Sequence, residues 1–120
     1  MLSLNTVIIF SDQPDKLTQF YKKILPAEVS WSEGGFSGFQ VGAGYLLVGP
    51  HSQVHGKNRN PERIVINFET GDVKKDFERM KKAGALSVKE PYHPMEDPGM
   101  MLATLADPDN NYFQLASPMK

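Results

Sequence analysis

Arg63 stands at the head of a strand-like run, and Gln114 is a polar residue between two apolar ones. Arg63 opens Arg63-Ile64-Val65-Ile66-Asn67-Phe68-Glu69, and Gln114 sits inside Tyr112-Phe113-Gln114-Leu115-Ala116. An arginine stays charged at every working pH and grips a carboxylate or phosphate through two parallel N–H bonds. Asn5, Asn67 and Gln114 add amide donors and acceptors. These suit the same kind of ligand, or satisfy one another in a closed network with Arg63. The plainer role for Arg63 is a strand-start cation paired with Glu62, Asp97 or another acid.

Three histidines extend the reactive set. His51 and His55 are four residues apart, a spacing that on a helix would align two metal ligands. They lie instead in the Pro-, Gly- and Asn-rich segment 50–62, PHSQVHGKNRNPE, which reads as a loop. His93, in PYHPMEDPGM beside Glu96 and Asp97, suits a cavity gate, a proton-transfer group or a surface metal site. Trp31, Phe36, Phe39, Tyr45, Tyr92 and Tyr112 either stack a planar ligand or fill a core. Met95, Met100 and Met101 adapt to irregular apolar surfaces or pack inside. There is no cysteine, which excludes disulfides, thiolate zinc sites and cysteine nucleophiles. No Gly-rich phosphate loop, Ser–His–Asp order or paired carboxylates stand out, and no cofactor is expected.

These residues need a frame. The chain has 120 residues, enough for one domain, with 40% hydrophobic and 22% charged residues. A formal net charge of −1 gives no broad basic field, which argues against nucleic acid or an anionic membrane as partner. The pairs Lys22-Lys23 and Lys81-Lys82 read as solvated helix faces. The N-terminus lacks a secretory pattern, and no apolar stretch approaches the ~18 residues of a membrane span. A soluble, cytoplasmic protein is expected.

The chain then says the same thing twice. LNTVIIF reads as a strand. Ser11 or Asp12 follows as a helix cap, and Leu17, Phe20, Tyr21, Ile24 and Leu25 form a helical stripe that Pro26 ends. RIVINFE is again a strand. Thr70 or Asp72 caps, Val73, Phe77 and Met80 repeat at helical spacing, and Gly84 stops the helix. The two units start about 58 residues apart, a signature of internal duplication. Three further strand-like runs follow each helix. Strand alternation groups Asn5, Val7 and Ile9 on one face. Arg63, Val65 and Asn67 share another, as do Tyr112, Gln114 and Ala116. Ile8 and Phe10, like Ile64, Ile66, Phe68, Phe113 and Leu115, are expected to pack under the helices.

Two motifs carry a resemblance: FSDQPDKLTQFYKKIL after the first strand, and LADPDNNYFQL before the last. With the βαβββ repeat, the chain resembles the vicinal oxygen chelate superfamily over essentially its whole length. That group holds glyoxalase I, bleomycin-resistance proteins, extradiol dioxygenases and fosfomycin-resistance proteins. Asn110 stands where the family favours Gly, and Asn tolerates the positive φ such a turn needs. The resemblance implies an α+β fold, with two tandem βαβββ modules forming an open eight-stranded barrel-like sheet and helices on its outer face. Residues 1–120 would be a single domain, with module one at 1–50, a linker at 51–62 and module two at 63–120. A homodimer is implied as well.

Metal-dependent members of the superfamily hold one divalent ion on a first-strand His and a last-strand Glu from each module. Carried over residue by residue, those positions fall on Asn5, Arg63, Gln114, and Leu46 or Leu47. No Asp or Glu lies between Glu33 and Glu62. Neutral amides are poor transition-metal ligands, and an arginine repels a dication. The chain therefore resembles the metal-free branch. It is expected to hold no metal and to bind a small aromatic or anionic molecule in the barrel cavity. Asn5, Arg63, Asn67, Gln114, Tyr92 and His93 would line the site, and no catalytic residue is assigned. Two other readings stay open. One is a metal-dependent lyase, isomerase or dioxygenase of the glyoxalase type. The other is a metal-free enzyme in which Arg63 or His93 stabilises an enolate or oxyanion.

Overall fold

β-branched and aromatic residues make the first strand, β1 (Thr6–Ser11), which runs through a tight polar turn into helix α1 (Pro14–Ile24). Strands β2 (Val29–Glu33), β3 (Phe36–Val41) and β4 (Gly44–Pro50) follow. The second half repeats the order with β5 (Ile66–Glu69), α2 (Val73–Lys82), β6 (Leu86–Tyr92), β7 (Leu102–Ala106) and β8 (Tyr112–Ala116). The structure, a computed structural model, describes residues 1–118. It divides into two compact units, Met1–Gly56 and Lys57–Lys120. The expected α+β class and paired βαβββ modules are present. The eight strands fall into two four-stranded sheets, in the orders β1-β4-β3-β2 and β5-β8-β7-β6.

In the first unit, β1 and β4 pair in parallel, with Ile8 opposite Leu47 and Ile9 opposite Val48. Leu17, Phe20, Tyr21 and Ile24 of α1 are buried, as are Ile9, Phe39, Leu46 and Val48 of the sheet. Burial of each such side chain contributes about 1.5–3 kcal/mol. Neither Ser11 nor Asp12 caps the helix. Gln13 holds the N-cap position, and Pro14 fills the first turn without needing an N–H partner. Ser11 Oγ accepts the Gln13 N–H at 3.0 Å. Asp12 Oδ2 accepts the Gly56 N–H at 2.7 Å.

The face expected under α1 is reversed. Ile9 and Ser11 are buried, whereas Ile8 (47% exposed) and Phe10 are open. Val7, Ile8, Ile9 and Phe10 are all apolar, so the run has no period-2 signal to fix its phase. The parallel pairs show the same slip between repeats. Ile8 lies beside Leu47 as Asn67 lies beside Gln114, so Ile8, not Asn5, stands in register with a residue of the Arg63–Asn67 face. A slip of one residue moves every side chain to the other face.

In the second unit, Val73, Phe77 and Met80 of α2 are buried, as are Ala103, Leu105, Phe113 and Leu115 of the sheet, the side expected for Phe113 and Leu115; Ile64, expected with them, precedes β5 and is exposed. Asp72 is the cap: its Oδ1 accepts the Lys75 N–H at 3.1 Å, and Thr70 Oγ1 accepts the Asp72 N–H at 3.1 Å. Gly84 follows the helix at φ +116°, which only glycine adopts without strain. The β7–β8 turn is organised by Asp107, 1% exposed, whose Oδ1 accepts the N–H groups of Asp109 (2.8 Å) and Asn111 (3.0 Å). Asn110 has φ +64°, the conformation expected where the family favours Gly. Its Nδ2 donates to Asn58 O at 2.9 Å, tying the chain before β5 to this turn.

Candidate functional site

Each sheet has one face away from its helix. In the second unit that face carries a polar row running straight across all four strands. Asn67 (β5) pairs with Gln114 (β8), Gln114 with Thr104 (β7), and Thr104 with Lys89 (β6). Directly paired residues share a face, with side chains close enough to interact. Gln114 Nε2 donates to Asn67 Oδ1 at 3.0 Å. Asn67 Nδ2, Gln114 Oε1, Thr104 Oγ1 and Lys89 Nζ have no hydrogen-bond partner among the described residues, so the row presents two donors, an acceptor and a hydroxyl. The Lys89 ammonium lies 4.0 Å from the ring centroid of Tyr92, a close cation–π contact.

Of the residues singled out in the sequence, the structure brings Asn67 and Gln114 into contact and sets the Tyr92 ring against Lys89, the last residue of their row. Arg63 lies in the turn before β5, four residues from Asn67. Its N–H donates to Asn60 O at 3.1 Å, and its exposed guanidinium has no ion pair or hydrogen bond among the described residues. The pairing with Glu62 or Asp97 does not form. Asn5, in the other unit, precedes β1. Its carbonyl accepts the Tyr45 N–H at 2.8 Å and its Oδ1 accepts from Thr6 Oγ1 at 3.0 Å. His93 is exposed, with Nδ1 2.7 Å from Met100 O. A carbonyl only accepts, so Nδ1 carries the proton and Nε2 holds the lone pair in the neutral ring. Met95 and Glu96, in the loop His93 closes, have φ of 51° and 56°.

Lys89 and Thr104 were not found from sequence. Register shifts on both sides of Lys89 break the alternation that would have placed it on the face of Gln114. Thr104, between Ala103 and Leu105, reads as an ordinary strand residue.

The first unit's open face is different. Ile8, Phe10, Trp31, Tyr45 and Leu47 share it, and Trp31 is 46% exposed. The Phe36 ring lies directly over Gly49, where a Cβ would come within 2.0 Å of it, so only glycine fits there. Phe10 meets Phe36 edge-on at 6.1 Å between centroids and His51 at 4.9 Å. His51 Nδ1 accepts the Gln53 N–H at 3.1 Å, and His55 is exposed in the same loop. Leu47 stands beside Ile8 as Gln114 stands beside Asn67.

A divalent metal does not fit these residues. An amide that donates Nε2–H to its neighbour is no ligand set for a transition ion. No three His, Asp or Glu side chains converge among the described residues.

The comparisons fit this geometry. A glyoxalase-like domain model matches residues 6–116. Among solved structures, a glyoxalase/bleomycin resistance protein/dioxygenase family enzyme from Burkholderia phytofirmans PsJN aligns at TM-score 0.77 and 21% identity, covering 96% of this chain and 98% of that one. A glyoxalase-related enzyme from Fulvimarina pelagi aligns at 0.79 and 14%, covering 98% and 89%. The fosfomycin resistance protein FosX from Listeria monocytogenes aligns at 0.68 and 22%, covering 99% and 93%. At these identities the likeness is one of fold. No curated protein gives a significant sequence match. A match over nearly the whole chain, together with the doubled βαβββ architecture, makes this protein a member of the glyoxalase-like domain family.

Proposed function

We propose that this protein binds a small aromatic or anionic molecule without a metal ion, on the open sheet face of its second unit. One observation carries the reading. Gln114, where the superfamily resemblance puts a metal-binding Glu, donates its amide to Asn67 instead. That contact leaves one amide N–H group and one amide carbonyl facing outward, a pair that complements a carboxylate, amide or hydroxyl. Tyr92 and Tyr112 supply aromatic surface on the same face. Arg63 brings an unpaired cation within one strand length of Asn67, and His93 is a further candidate, whereas Asn5 belongs to the other unit. Fosfomycin and bleomycin resistance in the names of structural neighbours supports a small-molecule ligand. The same reading makes the protein a cytoplasmic homodimer, which light scattering and cell fractionation test.

The deciding experiment is elemental mass spectrometry on tag-free protein dialysed against trace Ni, Zn, Mn and Fe(II). It is followed by a thermal-shift screen of aromatic carboxylates. Substoichiometric metal and a stabilising acid are expected. A hundredfold excess over Kd adds about 2.7 kcal/mol. A full metal ion per chain overturns the reading. His93 favours a second one, metal-free proton transfer, because its Nδ1–H bond to Met100 leaves Nε2 as a base. Turnover that survives His93→Gln sinks that alternative.

A further inference from the structure

Lys89 lies in the same cross-strand row as the Asn67–Gln114 pair, and its ammonium is steadied by the Tyr92 ring rather than by an acid. Edge strands often carry a lysine simply to discourage pairing with other chains. Two observations set this one apart. It has no ion pair among the described residues. A carboxylate of the open face, Glu69, sits two residues beyond Asn67 on β5, at the far edge. The face is therefore electrostatically polarised, with a cation at β6 and a carboxylate at β5.

Strand spacing turns this into a length. Neighbouring strands lie about 4.8 Å apart, so Gln114 and Lys89, two strands apart, are separated by about 10 Å. Thr104 places a hydroxyl between them. Resting on the reading above, we propose that Lys89 and Tyr92 form the anion end of the site, and Gln114 with Asn67 its neutral end. The ligand class is an elongated monoanion. Its flat body crosses β7, its carboxylate meets the Lys89 ammonium, and an amide or hydroxyl about two strand spacings away meets the amide pair. Glu69 repels the carboxylate from the other end and so fixes the ligand's direction. Lys89 is a specificity-determining residue that chooses charge and length.

The test uses the full chain and three probes: 4′-carbamoylbiphenyl-4-carboxylate, the shorter 4-carbamoylbenzoate, and neutral biphenyl-4,4′-dicarboxamide. Affinities are read by calorimetry. The long acid is expected to bind at least about tenfold tighter than the short one, which reaches only one end. Lys89→Met weakens the long acid about tenfold, leaves the diamide unchanged and keeps the unfolding midpoint, since the side chain is exposed. Lys89→Arg restores the acid. Gln114→Leu weakens both long probes. An unaltered affinity of Lys89→Met for the long acid overturns the inference, as do equal affinities for long and short acids or no binding of any probe. If Gln114→Leu still weakens the diamide, the broader binding reading survives that failure. If Gln114→Leu changes no probe, the broader reading falls too.

Discussion

In the first unit the sheet face away from the helix is built of Ile8, Phe10, Trp31, Tyr45 and Leu47. In the second the corresponding face is built of Asn67, Gln114, Thr104, Lys89 and Tyr92. Strand order, parallel pairing and helix placement are the same in both. The helix-side faces are alike too, with Phe39, Leu46 and Val48 in one and Phe113, Leu115 and Leu105 in the other. The repeat thus preserves what folds each unit and lets the other face diverge. One copy presents oily, aromatic surface, and the other presents hydrogen-bonding groups and a charge. Leu47 and Gln114 hold matching places, and that single exchange marks the divergence most clearly.

Breaking the shared side tests whether the faces depend on it equally. Phe39→Ala and Phe113→Ala each delete a fully buried ring and should lower stability by about 3–5 kcal/mol in urea unfolding. A loss below about 1 kcal/mol for either would mean that its sheet is not held by its helix. Within the first unit, Gly49→Ala drives a methyl into the Phe36 ring and should cost about 1–3 kcal/mol. Gly38→Ala meets Leu47 and Trp31 at an ordinary 3.6 Å and serves as the control. Equal midpoints for the two variants would show that Phe36 does not sit where described.

Exchanging the marker residues sharpens the contrast. Gln114→Leu removes one half-exposed hydrogen bond and should cost about 0.5–1.5 kcal/mol while abolishing ligand-induced thermal shift. Leu47→Gln should leave any thermal shift intact. If Leu47→Gln were the variant that lost it, the binding face would belong to the first unit. Smallest of all, Trp31→Phe should stay within about 0.5 kcal/mol of the parent, since the side chain is half exposed. A larger drop in its unfolding midpoint would reveal that Trp31 packs against something.

Much of this was legible in the residues. Helical stripes such as Val73, Phe77 and Met80, the stop at Gly84 and the Asp107–Asn111 turn each carry a local signal, so both helices and the doubled architecture could be read. Gln114 was legible because a polar residue between Phe113 and Leu115 has a definite phase. Ile8 was not, because an unbroken apolar run lets either face be the buried one. Ser11 under α1 was not either, since a buried hydroxyl is acceptable only where a backbone N–H, here that of Gln13, meets it. Lys89 was hidden by irregular pairing, and Arg63, though singled out, was misplaced because the late start of β5 leaves it in a turn.

The irregular pairing of β6 has one more effect. As the outermost strand of its sheet, β6 would offer a free edge of N–H and C=O groups to any passing extended chain. Two register shifts within seven residues, with Lys89 between them, spoil that edge as a template. The distortion on either side of Lys89 therefore guards against strand addition. Evening out this strand would leave the protein prone to clump at high concentration while its fold stayed intact.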